Sequence, residues 1–177
     1  MFRKAIAKRL EETREFLGNS FAQTQAYALR GDILPEDVFY HLGVVSYESN
    51  ALGVAIDSVQ SSLCISPSYS HGWYLLGRTH FRQLNKGAAK QASKRATLIE
   101  PQTAEFNASA GLYALESNDL ITARNFLEKA IVLDPSRKAT YLDLGVLLNH
   151  EDQPQSALTL YRGESALSPS SPVPFFN

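Results

Sequence analysis

The sequence has a single cysteine, Cys64, a single methionine and a single tryptophan, Trp73, in 177 residues. One cysteine excludes an internal disulfide framework and a multi-cysteine zinc site, and it suits a reducing compartment. Net charge is nearly absent as well. Seventeen Lys+Arg against 18 Asp+Glu leave −1, which argues against a surface built throughout for nucleic acid or anionic membrane. No run approaches the roughly 20 apolar residues of a membrane-spanning helix, and the opening MFRKAIAKRLEETREF carries charges where a secretory signal needs an apolar stretch. These features predict a cytoplasmic chain without a membrane span.

Catalytic signatures are missing too: there is no Gly-x-x-x-x-Gly-Lys-Ser/Thr phosphate loop, Gly-x-Ser-x-Gly elbow, His-Glu-x-x-His pair or calcium loop. His41, His71, His80 and His150 are scattered, and the spacing of His71 and His80 does not place both on one helix face as metal ligands would require. Cys64, near the end of an apolar run with no basic neighbour in sequence, reads as a buried structural thiol. The sequence therefore assigns no catalytic, cofactor-binding or metal site, and the chain itself reads as non-enzymatic.

What is present is a core and a rhythm. With 44% apolar and 20% charged residues the chain can bury a real interior. Pro67, Pro101, Pro135 and Pro169 recur every 34 residues, as do Gly43, Gly77, Gly111 and Gly145, and Ala55, Ala89, Ala123 and Ala157. Each glycine sits inside an amphipathic run, where it costs about 1 kcal/mol of helix stability relative to alanine. Close approach of a second helix offsets that cost, and the alanines supply the matching small surface. The prolines follow the second helix and stop it. Each unit is thus helix, turn, helix, stop, with turns expected around Asn50, Asn85, Asn118-Asp119 and Asp152-Gln153. Units are placed at 36–69, 70–103, 104–137 and 138–171.

This pattern resembles the tetratricopeptide repeat family, which asks for an aromatic at the fourth place, Leu-Gly at the seventh and eighth, alanine at the twentieth and proline at the thirty-second. Phe39, Leu42-Gly43, Ala55 and Pro67 answer in the first unit, and Trp73, Leu76-Gly77, Ala89 and Pro101 in the second. Tyr141, Leu144-Gly145, Ala157 and Pro169 answer in the fourth, while Asn107 and Ala110 weaken the third. The resemblance implies an all-α, right-handed solenoid of stacked antiparallel helix hairpins. Residues 1–35 lie outside the rhythm and read as a helical hairpin capping the first unit. Residues 172–177 fall where a fifth unit would start, so the array is expected to continue, to be covered by a partner, or to self-associate through an uncapped end.

In this family the first helices line a concave groove. Carried over, the resemblance points to Tyr40, Tyr47, Tyr74, Arg78, Phe81, Arg82, Leu112 and Glu116 as the partner-binding surface, suited to a helix or extended peptide. Tyr47, Phe81 and Leu115 read equally well as packing residues between neighbouring helices. The lysine and asparagine places of the family's carboxylate-tail clamp hold Tyr40, Val44, Leu75, Glu105 and Ser109, so that clamp is not formed. Charge is uneven: residues 36–69 carry four acids and no Lys or Arg, whereas residues 70–103 carry six bases and one acid. Lys86, Lys90 and Lys94 read as a solvated outer face, and the acidic flanking units disfavour nucleic acid. The leading expectation is a non-catalytic protein-interaction scaffold. Two alternatives are the amino-terminal repeats of a larger enzyme, such as a glycosyl- or sulfotransferase, and a secretion-chaperone-like protein of the same repeat type.

Overall fold

A computed structural model describes residues 35–167, with side chains from Glu36 to Tyr161. The expected hairpin at 1–35 and the expected fifth-unit start at 172–177 lie outside the described residues. Among those described there are eight helices and no strand. They pair as α1 (Pro35–Glu48) with α2 (Leu52–Ile65), α3 (Ser70–Arg82) with α4 (Lys86–Ile99), α5 (Ala104–Glu116) with α6 (Leu120–Leu133), and α7 (Lys138–His150) with α8 (Pro154–Leu167). The two helices of a unit pack most extensively on each other, and each second helix packs next on the first helix of the following unit. First helices of successive units also touch, whereas second helices make no comparable contact with one another. Each unit is therefore a wedge with its first helix on the inner side, and stacking wedges curves the array.

The recurring small residues lie where the helices meet. Ala55, Ala89, Ala123 and Ala157 are all buried. At Gly77 an added Cβ would lie 3.3 Å from the backbone oxygen of Ala89 and 3.3 Å from the backbone nitrogen of Ser93. The two helices of that unit thus approach backbone to backbone, which a side chain larger than a methyl at Gly77 would prevent. One core cluster gathers Tyr47, Ala55, Val59, Leu63, Leu75, Leu76 and Ala92 across the first two units. A second, with Ala114, Leu127, Leu144, Leu147 and Leu148, joins the last two.

The turn inside each unit repeats as faithfully as the helices. Asn50, Leu84, Asn118 and Asp152 have φ of 61°, 62°, 58° and 57°. The next residue's N–H donates back across the turn, from Ala51 to the Ser46 carbonyl at 2.8 Å, from Asn85 to His80 at 2.9 Å, from Asp119 to Ala114 at 2.9 Å and from Gln153 to Leu148 at 2.9 Å. This hydrogen bond closes a helix through a left-handed residue. Asparagine and aspartate tolerate that conformation, and leucine does not. In the second unit the sequence suggests Asn85 as the turn residue. Instead Leu84 takes the left-handed position, while the Asn85 side chain caps α4 by accepting from the Ala88 N–H at 3.2 Å. Leu84 is 82% exposed, so it gains nothing from packing. Leu84→Asn is expected to stabilise the protein by about 1 kcal/mol through relief of this strain, read as a higher urea midpoint.

One further expectation is corrected and another is extended. Cys64 is exposed rather than buried. It occupies the same place in its unit as Leu98 and Val132, 66% and 80% exposed, on the side of the second helix turned away from the first. Lys86 and Lys94 are exposed, as expected of a solvated face, but Lys86 and Lys90 also make ion pairs. They reach the third unit, where Lys86 Nζ lies 2.8 Å from Glu116 and Lys90 Nζ lies 3.3 Å from Asp119. Arg124, one repeat beyond Lys90, likewise reaches Glu151 in the fourth unit while also pairing with Glu128. Individually such half-exposed pairs contribute little. Together they tie the turns of the third and fourth units to the units before them.

Candidate binding surface on the inner wall

The first helices α1, α3, α5 and α7 carry the inner wall, and aromatic rings run along its front. Tyr40 meets Tyr69 edge-on at 5.2 Å, His71 meets Phe106 at 5.3 Å, and Tyr74 lies against Phe106 at 5.0 Å between centroids. Such contacts fix ring orientation beyond simple burial. Farther back the wall is aliphatic, with Leu112 half-buried and Leu142 and Val146 each 43% exposed.

The eight residues expected at a groove fall into two groups. Tyr47 is buried, and Phe81 is stacked on Tyr113 at 4.6 Å, so both pack between units, as does the buried Leu115. Arg82 donates to the Tyr47 carbonyl at 2.8 Å and to Asn50 Oδ1 at 2.9 Å. The Tyr47 carbonyl also accepts from the Asn50 N–H at 3.0 Å, and a cation at this end of α1 complements the helix dipole. Glu116 faces Lys86. Tyr40, Tyr74, Arg78 and Leu112 are partly exposed on the wall without such a commitment, whereas Phe81 is also partly exposed and Arg82 and Glu116 are exposed but engaged as described.

Arg78 is central to the front. Its guanidinium carbon lies 4.7 Å from the Tyr47 ring centroid and 5.7 Å from that of Tyr74. Burial alone would lower its pKa, but the oxygens of Tyr74, Tyr47 and Tyr113 outweigh that and hold it above the ordinary arginine value. Tyr74 donates its hydroxyl hydrogen to Glu105 Oε1 at 2.6 Å. Burial first, then that hydrogen bond, pushes the Tyr74 phenol up to about 12. Arg137, which immediately precedes α7, approaches the same Glu105 oxygen at 3.9 Å. Asp143, on α7, is pushed up to about 6 chiefly by burial, with Glu116 adding to the rise and Arg137 opposing it. The wall thus runs from a guanidinium framed by tyrosines to an aliphatic stretch with carboxylates beside it.

Glu105 stands at a groove place of its unit, whereas Tyr113, Arg137 and Asp143 belong to this arrangement and are not among the residues expected from sequence. Tyr113 and Asp143 stand at the tenth and sixth places of their units, where the family's groove positions give no signal. Among the described residues no group of three or more His, Cys, Asp and Glu is placed to hold a metal ion, and no helix is long and apolar enough to cross a membrane.

Comparison of the whole chain with solved structures decides the architecture. YrrB, described as a TPR protein with an unusual peptide-binding site, matches 82% of this chain and 74% of its own at a TM-score of 0.72 and 16% identity. This is the tetratricopeptide-repeat fold. MamA from Desulfovibrio magneticus RS-1 matches 97% of this chain and 98% of its own at a TM-score of 0.75 and 16% identity. In sequence, the chain is 32% identical over 124 residues to the cytochrome c-type biogenesis protein CycH of Rhizobium meliloti (strain 1021). That alignment takes in 67% of this chain and 32% of CycH, so the chain spans about a third of the length of this curated relative. No family model matches the chain.

Proposed function

We propose that the chain is a non-catalytic interaction scaffold whose inner wall holds a helix or extended peptide of a partner protein. The observation that carries this reading is the row of accessible rings at Tyr40, His71 and Tyr74 on the first helices, backed by the buried Phe106 and continued by exposed Leu142 and Val146. Hairpin packing does not use these last two side chains fully. Aromatic and aliphatic side chains on a preformed concave surface are what peptide grooves supply. The peptide-binding description of YrrB, a protein of the same fold, supports the reading.

A display library of random peptides panned against the chain is expected to enrich binders. Leu142→Glu combined with Val146→Glu should weaken them by at least about tenfold, the loss of roughly one buried aliphatic contact, with circular dichroism unchanged. No enrichment, or equal binding by the double variant, would count against the groove. The 32% identity to CycH favours a second reading in the same class: these repeats form the binding region of a longer protein that serves cytochrome c-type biogenesis.

A further inference from the structure

The cations of the inner wall are not equivalent. Arg82 is committed to the end of α1, Arg137 faces Glu105, and Lys86 faces Glu116. Arg78 has no carboxylate partner among the described residues. It is half-buried, and its surroundings are the rings of Tyr47 and Tyr74 and the phenol oxygens of Tyr47, Tyr74 and Tyr113. A desolvated cation needs a counter-charge, and ring faces replace only part of one. The tyrosines also hold the guanidinium in place, so little of its side-chain entropy remains to be lost on forming a fork to a ligand.

We propose that Arg78, framed by Tyr47 and Tyr74, is a subsite for one carboxylate of the bound peptide, contributed by an Asp or Glu side chain. This deepens the groove reading above and rests on it. Carboxylate is favoured over phosphate because Glu105 accepts from Tyr74 at the edge of the cage, and Glu116 and Asp143 stand farther along the wall. A singly charged group meets less repulsion there than a doubly charged one. A side chain is favoured over a chain terminus because the wall continues past Arg78 in both directions, through Tyr40 and through Leu112.

The test follows the arginine Nε–H signals of the 15N-labelled chain by NMR. The probes are N-acetylglutamic acid α-amide for a side-chain carboxylate, N-acetylalanine for a terminal one, and inorganic phosphate. The Arg78 signal is expected to shift saturably with the first probe, while that of Arg95, an exposed arginine of α4, shifts only linearly. In the variants, where the Arg78 signal is gone, the titration is followed on the backbone amides of Tyr47 and Tyr74, calibrated on the parent: Arg78→Lys should weaken saturation roughly tenfold, as loss of one charge-assisted hydrogen bond implies, and Arg78→Gln should abolish it, with circular dichroism reporting the fold of each. A linear response at Arg78 like that at Arg95, or tighter saturation by N-acetylalanine or phosphate, would overturn the assignment. Display-selected peptides that bind the groove yet lack acids and ignore Arg78→Gln would also overturn it while leaving the groove standing. Failure of the display selection alone would remove the groove, and the titration would still decide the subsite.

Discussion

Gly77→Leu is expected to lower stability by more than about 2 kcal/mol and the thermal midpoint by roughly 5 °C or more. The nearest atoms to a Cβ at this position are backbone, the Ala89 oxygen and the Ser93 nitrogen, both at 3.3 Å, followed by Tyr113 Cε2 at 3.5 Å. A flexible neighbour could rotate away, but a helix backbone cannot, so the extra carbons of leucine must push α3 and α4 apart. Gly77→Ala is the informative control. Alanine gains about 1 kcal/mol of helix propensity and meets only those 3.3 Å contacts, which places its net effect near zero. A large loss with leucine beside a small change with alanine isolates overpacking from propensity. Because each unit of a stacked array contacts only its neighbours, hydrogen exchange should rise first in α3 and α4. Equal midpoints for the leucine variant and the parent would mean that the helices do not meet at this glycine.

The glycine contact was legible because packing at the hairpin seam selects residue size, and size shows directly in sequence. The residue opposite each glycine varies to suit: Val59 faces Gly43, Ser93 faces Gly77, Leu127 faces Gly111 and Tyr161 faces Gly145. These residues hold the twenty-fourth place of their units, where the family's pattern asks for an aromatic, and the helices close over valine, serine and leucine as well as tyrosine. The prolines were equally informative, since α2, α4 and α6 each end two residues before one.

Features that depend on partners in another unit were not legible. Lys86 and Lys90 recur at helix spacing, as solvated lysines do, and only the stacking brings Glu116 and Asp119 to them. Leu84 was hidden by Asn85, because the residue type that favours a left-handed turn stood one place too late. The inner wall was half legible. Tyr74 and Arg78 lie where the family pattern puts a groove, but the pattern cannot show that Tyr47 is buried under two arginines or that Arg82 ends on a backbone carbonyl. Asp143 gave no signal, since its perturbation comes from burial against another unit.

Leu127→Ala is expected to cost about 3 kcal/mol, the ordinary penalty for emptying a well-packed leucine site. Leu127 is fully buried and belongs to the cluster that joins the third and fourth units, so its loss loosens both a hairpin and the interface beyond it. The same side chain blocks Gly111. A Cβ there would lie 2.6 Å from Leu127 Cγ and 2.7 Å from Cδ2, so Gly111→Ala alone must displace the leucine and is expected to destabilise despite the better helix former. In the Leu127→Ala background that obstruction is gone, and the new methyl occupies part of the space the leucine filled. The Leu127 backbone nitrogen, 3.1 Å from the added Cβ, is still present, so recovery stays incomplete. The double variant should therefore be less destabilised than the sum of the single variants, with a coupling of about 1–2 kcal/mol, as measured for residues in direct contact. Urea midpoints for the four proteins of this cycle provide the check. Simple additivity would mean that α5 and α6 are held apart by something other than this side chain, and the size complementarity that generates the 34-residue rhythm would then fail at its third glycine.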